Sequence, residues 1–205
     1  MHRSSAVAGY FYERSPEALK RQVEGFILPS VQRKKAFGIV APHAGLIYSG
    51  PVAGAVYSSI ELPDTFILIG PNHTGLGAPV ALMAKGSWET PLGTVAIDEP
   101  LAASILSKSP RIHDDSFAHL REHSLEVQLP FIQYFKSDFK IVPIQMLDVR
   151  LDTCLEVGRA VGEAIRERSQ ESGARSQAGQ EKIRTDDSDP RCDVLIVASS
   201  DMSHY

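Results

Sequence analysis

Cysteine is scarce in this 205-residue chain, occurring only as Cys154 and Cys192. Two thiols cannot build a disulfide framework, and without a CxxC pair they offer no zinc knuckle. Neither resembles a catalytic thiol: Cys154 falls inside a helical pattern and Cys192 at the edge of a polar stretch. A run of ~18 apolar residues is missing, as is a signal-type apolar core near the start. The expectation is therefore a cytoplasmic protein with no membrane partner. No G-x-G-x-x-G or G-x-x-x-x-G-K-[ST] follows a strand, and no G-x-S-x-G elbow occurs, which removes the usual nucleotide and serine-hydrolase signatures. A net charge of -4, with no basic stripe interleaved with aromatics, gives no footprint for nucleic acid. Internal repeats are absent too.

What remains is ordinary globular material: 43% hydrophobic and 22% charged residues, enough for a sizeable core. The chain is organised around Thr65 to Gly75, TFILIGPNHTG. Thr65 to Ile69 is a β-branched and aromatic run that reads as a strand buried on both faces. Gly70 and Pro71 end it, and a polar turn carrying His73 follows. The pattern occurs three times. Ala36 to Ala41 runs into Pro42-His43-Ala44-Gly45, and Asp193 to Ala198 runs into Ser199-Ser200-Asp201-Met202-Ser203-His204. In open α/β sheets the carboxyl ends of strands face one crevice, where ligands bind. A lone histidine after a strand is ordinarily a hydrogen-bonded turn residue. Three parallel cases point instead to a site, and His2, His113, His119 and His123 lack that placement.

Between these strands the spacing predicts several helices. Ser15 caps one with Pro16 in its first turn, carrying Leu19, Val23, Phe26 and Ile27 as a core stripe and ending at Pro29. Pro51 suits the first turn of a second, running to about Ile60, whose start points at the crevice. Pro79 to Ala84 reads as a strand, Gly86 to Gly93 as a turn or hairpin, and Thr94 to Ile97 as its return, with Trp88 as packing. Asp98 caps a helix from Glu99 to about Lys108. Ser124 is placed to cap another through Leu125, Leu129, Ile132 and Phe135, kinked or shortened by Pro130. Lys140 to Met146 is a buried strand in which Pro143 suggests an edge or a bulge. Asp152 starts a helix through Ile165, and Ser169 to Pro190 is so poor in apolar residues that it reads as a disordered insertion. The alternation predicts a single α/β domain over 1–205, a three-layer sandwich around a mostly parallel or mixed sheet.

Imidazole is the commonest protein metal ligand, and a carboxylate completes the set for iron, zinc or manganese. His43, His73 and His204 with Asp201 are thus the candidate metal ligands. Two imidazoles and one carboxylate suit non-haem Fe(II), and three imidazoles suit zinc. Glu122 and His123 form a further acid/base candidate, or a partner that fixes an imidazole tautomer.

Five phrases, RSSAVAGYFY (3–12), APHAGLIYSG (41–50), GPNHTG (70–75), EHSLEVQLPF (122–131) and SSDMSHY (199–205), together resemble the Memo family. Its microbial members are described as protein B of an AmmeMemoRadiSam system. The resemblance implies a fold like that of class III extradiol dioxygenases and a divalent metal, with Fe(II) first and copper or zinc as alternatives. It maps the metal positions onto His43, His73, Asp201 and His204, and makes His123 a pocket residue and the catalytic candidate. Small molecules or peptides in the pocket, and radical-SAM system proteins, are the implied partners. Two departures stand out. Glu13 replaces the proline that follows the first FY, and family members continue past the DxxH segment to a CG cysteine, so this chain is expected to be incomplete at its C-terminus. The functional expectation is a metal- or peptide-binding accessory protein; the alternative is a non-haem iron-dependent oxygenase or other redox enzyme.

Overall fold

The computed structural model describes residues 1–177 and 193–201. Among these residues it contains one mixed sheet of nine strands: β1 (His2–Arg3), β2 (Gly38–Ala41), β3 (Thr65–Pro71), β4 (Val80–Leu82), β5 (Ser87–Thr90), β6 (Gly93–Ile97), β7 (His113–Asp114), β8 (Lys140–Met146) and β9 (Val194–Ser199). The main path runs β1-β5-β6-β8-β3-β9-β2. Its centre is parallel: β3 pairs with β8 on one side and β9 on the other, and β9 pairs with β2. The central strands are buried almost throughout, as their continuous apolar runs require. Five α-helices join them: α1 (Pro16–Glu24), α2 (Leu46–Ser58), α3 (Glu99–Ser107), α4 (Leu129–Phe135) and α5 (Leu151–Gln177). α3 packs with α5, whereas α1 and α2 both pack with α4, giving helical layers on either side of the sheet. The protein is an α/β three-layer sandwich.

Several boundaries differ from the sequence expectation, each for a local reason. Ser15 accepts from the Ala18 N–H and Pro16 opens α1, as expected, but the helix stops at Gly25 rather than at Pro29. Phe26 instead folds over α2, where Gly50 and Gly54 leave no Cβ in its way. α2 begins at Leu46, five residues before the proline expected to open it. Pro51 deprives the Ile47 carbonyl of a helical partner, yet both residues are exposed, so water can serve there. The turn after His123 is 3-10 over Glu126–Gln128, and α4 starts only at Leu129, with Pro130 in its first turn. Ser124 is no helix cap. Its hydroxyl donates to the Pro71 carbonyl at 2.9 Å.

Pro143 lies not at an edge but inside the sheet, opposite Leu68 of β3. On its other side β8 changes partner: Lys140 and Ile141 pair with β6, while Ile144 to Met146 pair antiparallel with β4. Pro143 falls in the gap. Its carbonyl accepts from Met83, so its missing N–H would point to that same handover, where no ladder bond is lost.

α5 continues past Ser169 to Gln177, over the first residues of the segment expected as a disordered insertion. Arg168 explains part of this extension: its guanidinium donates to Asp98 at 2.6 Å and to Thr65 at 3.1 Å, anchoring a turn with little apolar content. The remainder of the proposed insertion, from 178 on, lies outside the described residues. Trp88 is fully buried, as its packing role requires, with Arg3 over its ring. No described helix is long and apolar enough to cross a membrane.

Candidate metal centre

β2, β9 and β3 are neighbours, so the loops leaving their carboxyl ends emerge side by side. The loop after β3 is fixed by Asn72. Its side-chain oxygen accepts from the Thr74 and Gly75 N–H groups, its amide donates to Leu76, and Gly75 takes a φ of 68°. This Asx-type turn delivers His73. After β2, the His43 and Ala44 N–H groups donate to Asp201 Oδ1 at 2.7 and 3.3 Å, stapling that loop to the end of β9.

One ring nitrogen each from His43, His73 and His123 lies within 4.8 Å of the others. The His73 and His123 rings stack with centroids 4.7 Å apart, and the His43 ring meets both edge-on at 5.2 and 5.8 Å. Phe11 covers the outer side of His123 at 4.5 Å. Asp201 Oδ2 stands 3.7 Å from His43 Nε2. Of the expected ligands, His43 and His73 lie together, Asp201 stands against His43, and His204 lies outside the described residues. His123 joins the imidazole group although it follows no strand. A turn held by Glu122 brings it there, a tertiary placement that the strand-end rule could not register.

Glu122 is fully buried and accepts from four donors. They are the His73 N–H at 2.5 Å, His73 Nδ1 at 3.0 Å, the His123 N–H at 2.8 Å and the Ser124 N–H at 3.0 Å. Burial acts to raise its pKa, but the hydrogen bond from the His73 ring and those from the three backbone groups outweigh it and hold the carboxyl down to about 2. Glu122 is thus a carboxylate throughout the ordinary pH range. Burial depresses the pKa of His43, with neighbouring His73 and His123 adding to the effect against the opposing pull of Asp201. Burial and His73 likewise lower His123 against the opposing field of Glu122. Both rings are biased toward the neutral form, which is the metal-ligating form.

The donor set suits a divalent cation: three imidazoles face one point, two are biased neutral, and a carboxylate stands beside one of them. The sequence reading assigned Ser199 no part beside His43 and assigned Gln128 none at all, yet Ser199 touches His43 Nδ1 at 3.0 Å and Gln128 donates to Ser199 Oγ at 2.8 Å. Ser199 sits at the strand end beside a candidate ligand, a placement that could have marked it.

The fold and the imidazole cluster define an α/β protein with three histidines grouped at the carboxyl edge of its central strands. Residues 3–175 match the family described as Memo-like protein, and the chain belongs to that family. Similar proteins include a MEMO1 family protein of Pyrobaculum aerophilum, 43% identical across 99% of this chain and 69% of its own length. Another, from Methanothermobacter thermautotrophicus, is 43% identical across 100% of this chain and 70% of its own. A third, from Aquifex aeolicus, is 43% identical across 99% and 67% respectively.

Proposed function

We propose that the protein is a divalent-metal-binding accessory protein, with His43, His73 and His123 as nitrogen ligands and Asp201 as a neighbouring carboxylate. The convergence of the three imidazoles carries this reading. A mixed nitrogen and oxygen set favours Fe(II), and an all-imidazole set favours zinc or copper. A bound ion would supply Lewis acidity and open coordination positions for a ligand. The protein's own part is to present neutral imidazoles, hold Glu122 ionised behind them and shield one side with Phe11. The crevice then receives a small molecule or peptide, and the resemblance to the AmmeMemoRadiSam systems makes a radical-SAM partner the natural recipient. Elemental analysis of protein purified without a chelating column tests the reading. About one divalent ion per chain is expected, reduced in His43→Ala, His73→Ala and His123→Ala alike; occupancy unaffected by all three substitutions would refute it.

A second reading, a non-haem iron oxygenase, draws on Asp201 beside His43, since two imidazoles and a carboxylate form the donor set of such enzymes. Anaerobic loading with Fe(II) followed by oxygen uptake with catechols separates the two. Uptake above background favours the enzyme, and background uptake by iron-loaded protein favours the accessory role.

A further inference from the structure

His43 and His73 each point one ring nitrogen away from the cluster, and the chemistry of what those nitrogens meet fixes where their protons lie. His73 Nδ1 meets Glu122 Oε1 at 3.0 Å. An ionised carboxylate only accepts, so Nδ1 carries the proton and Nε2 the lone pair. For His43 the assignment passes through three more groups. Gln128 Nε2 faces the Pro42 carbonyl at 3.0 Å, which only accepts, and the Tyr57 hydroxyl donates to Gln128 Oε1 at 2.9 Å, so the amide orientation is set. The amide then donates to Ser199 Oγ at 2.8 Å. Ser199 has one proton, and its hydroxyl lies 2.6 Å from the Ser124 carbonyl, which can only accept it. Ser199 must therefore accept from His43 Nδ1 at 3.0 Å. Both imidazoles end as Nδ1–H tautomers.

The two chains of bonds meet at one residue. The Ser124 N–H donates to Glu122, its carbonyl receives Ser199, and its hydroxyl donates to Pro71 at the end of β3. We propose that Glu122 and Ser199 are paired positioning residues, joined through the Ser124 backbone, that lock His73 and His43 respectively as Nδ1–H tautomers and so turn both Nε2 lone pairs toward one divalent cation. This inference rests on the metal-binding reading. It adds that the two ligands are oriented by separate acceptors on a shared backbone hub, a second layer of bonding that sets ring angle and basicity together.

The test reads the tautomers directly. Metal-free, nitrogen-15-labelled protein is examined by long-range proton–nitrogen correlation at mildly alkaline pH, where imidazole is neutral, and then titrated with Zn2+ alone. Wild type should show His43 and His73 protonated at Nδ1. Glu122→Ala, which removes the acceptor facing the ring, should release His73 from the single Nδ1–H form and leave His43 unchanged. Ser199→Ala should release His43 and leave His73 unchanged. Each variant should weaken Zn2+ binding by about 10- to 100-fold. Wild-type protein that binds Zn2+ with either proton on Nε2 overturns the inference, as does a Glu122→Ala protein in which His73 stays wholly Nδ1–H. Wild type with both assigned tautomers but no Zn2+ uptake sinks the metal reading while upholding the proton assignments. If Glu122→Ala fails to fold, the wild-type spectrum and Ser199→Ala still decide the matter.

Discussion

The Arg3 guanidinium and the Glu126 carboxylate meet at 2.7 Å with both side chains almost wholly out of solvent. Arg3 also donates to the His119 and Glu122 carbonyls and lies 4.1 Å from the Trp88 ring centroid. Glu126 accepts from the Ala6 and Val7 N–H groups and from the Tyr12 hydroxyl. The pair pins the N-terminal arm behind the imidazole cluster. Arg3→Met or Glu126→Leu leaves a buried charge alone and should cost about 3–5 kcal/mol. Replacing both residues is often neutral for an isolated pair. Here the double variant should remain destabilised, because two carbonyls, two N–H groups and a phenol lose partners as well. Denaturant unfolding of the two singles and the double checks this; a double variant as stable as wild type would show that the surrounding bonds add nothing.

His119 supplies an acid-sensitive element. It is completely buried, and neither ring nitrogen makes a well-formed hydrogen bond among the described residues, although the Ala81 backbone lies against the ring. Burial, reinforced by Arg3, drops its pKa to about 3, against about 6.5 in an unfolded chain. Between those values the unfolded state takes up a proton that the native state refuses. Stability from this residue is thus present above about pH 6.5 and drains away as pH falls toward about 3, at up to about 1.4 kcal/mol per pH unit. His119→Phe keeps a ring against Trp88 and removes the titration. Its unfolding free energy should fall less steeply than wild type between about pH 6 and 4.5, a window above the ordinary carboxyl range; parallel curves would remove His119 as the source.

Gly54 makes room for the chain rather than for a turn. A Cβ there would land against the Phe26 carbonyl, which cannot swing aside as a side-chain tip can. Gly54→Ala raises helix propensity by about 1 kcal/mol but forces a backbone shift costing about 1–3 kcal/mol. Net destabilisation is expected on a urea curve, whereas Gly158→Ala on α5, with nothing near its Cβ, should be neutral or stabilising.

Asp201 can be tested as ligand and as staple separately. Asp201→Asn keeps a side-chain oxygen for the His43 and Ala44 N–H groups while removing the negative charge near His43 Nε2. If the carboxylate helps hold the ion, metal affinity should drop with the loop intact, so the His43 backbone amide shift stays near wild type. Asp201→Ala should disturb both. Unchanged affinity in the Asn variant would confine Asp201 to the staple.

The three strand–turn units were legible because both parts are local: apolar run, breaker and polar turn lie within a dozen residues. His43, His73 and Asp201 follow from that. His123 was harder to place, since a buried carboxylate one residue earlier in the chain sets its position and no period records such a turn. Prolines misled twice for one reason. What Pro51 or Pro143 disrupts depends on whether a partner waits for the missing N–H, and exposure in one case and a strand handover in the other decide that. The far end of α5 was hidden because helix elongation is cooperative, and Arg168 adds a long-range anchor with no apolar signature.

His43 leaves β2, the last strand on the main path of the sheet, which pairs only with β9 among the described residues, and His73 leaves β3 at the centre. Strands at a margin open locally more readily than those inside. An ion gripped by both histidines would therefore span from margin to interior across β9, acting as a rivet through the sheet. Its occupancy would be read far from the ligands, as slower deuterium uptake along Gly38 to Ala41 with little change in β3. Metal affinity and the opening of that outer strand would then be two views of one equilibrium, and any substitution that loosens β2 from β9 should weaken the ion's hold without touching a ligand.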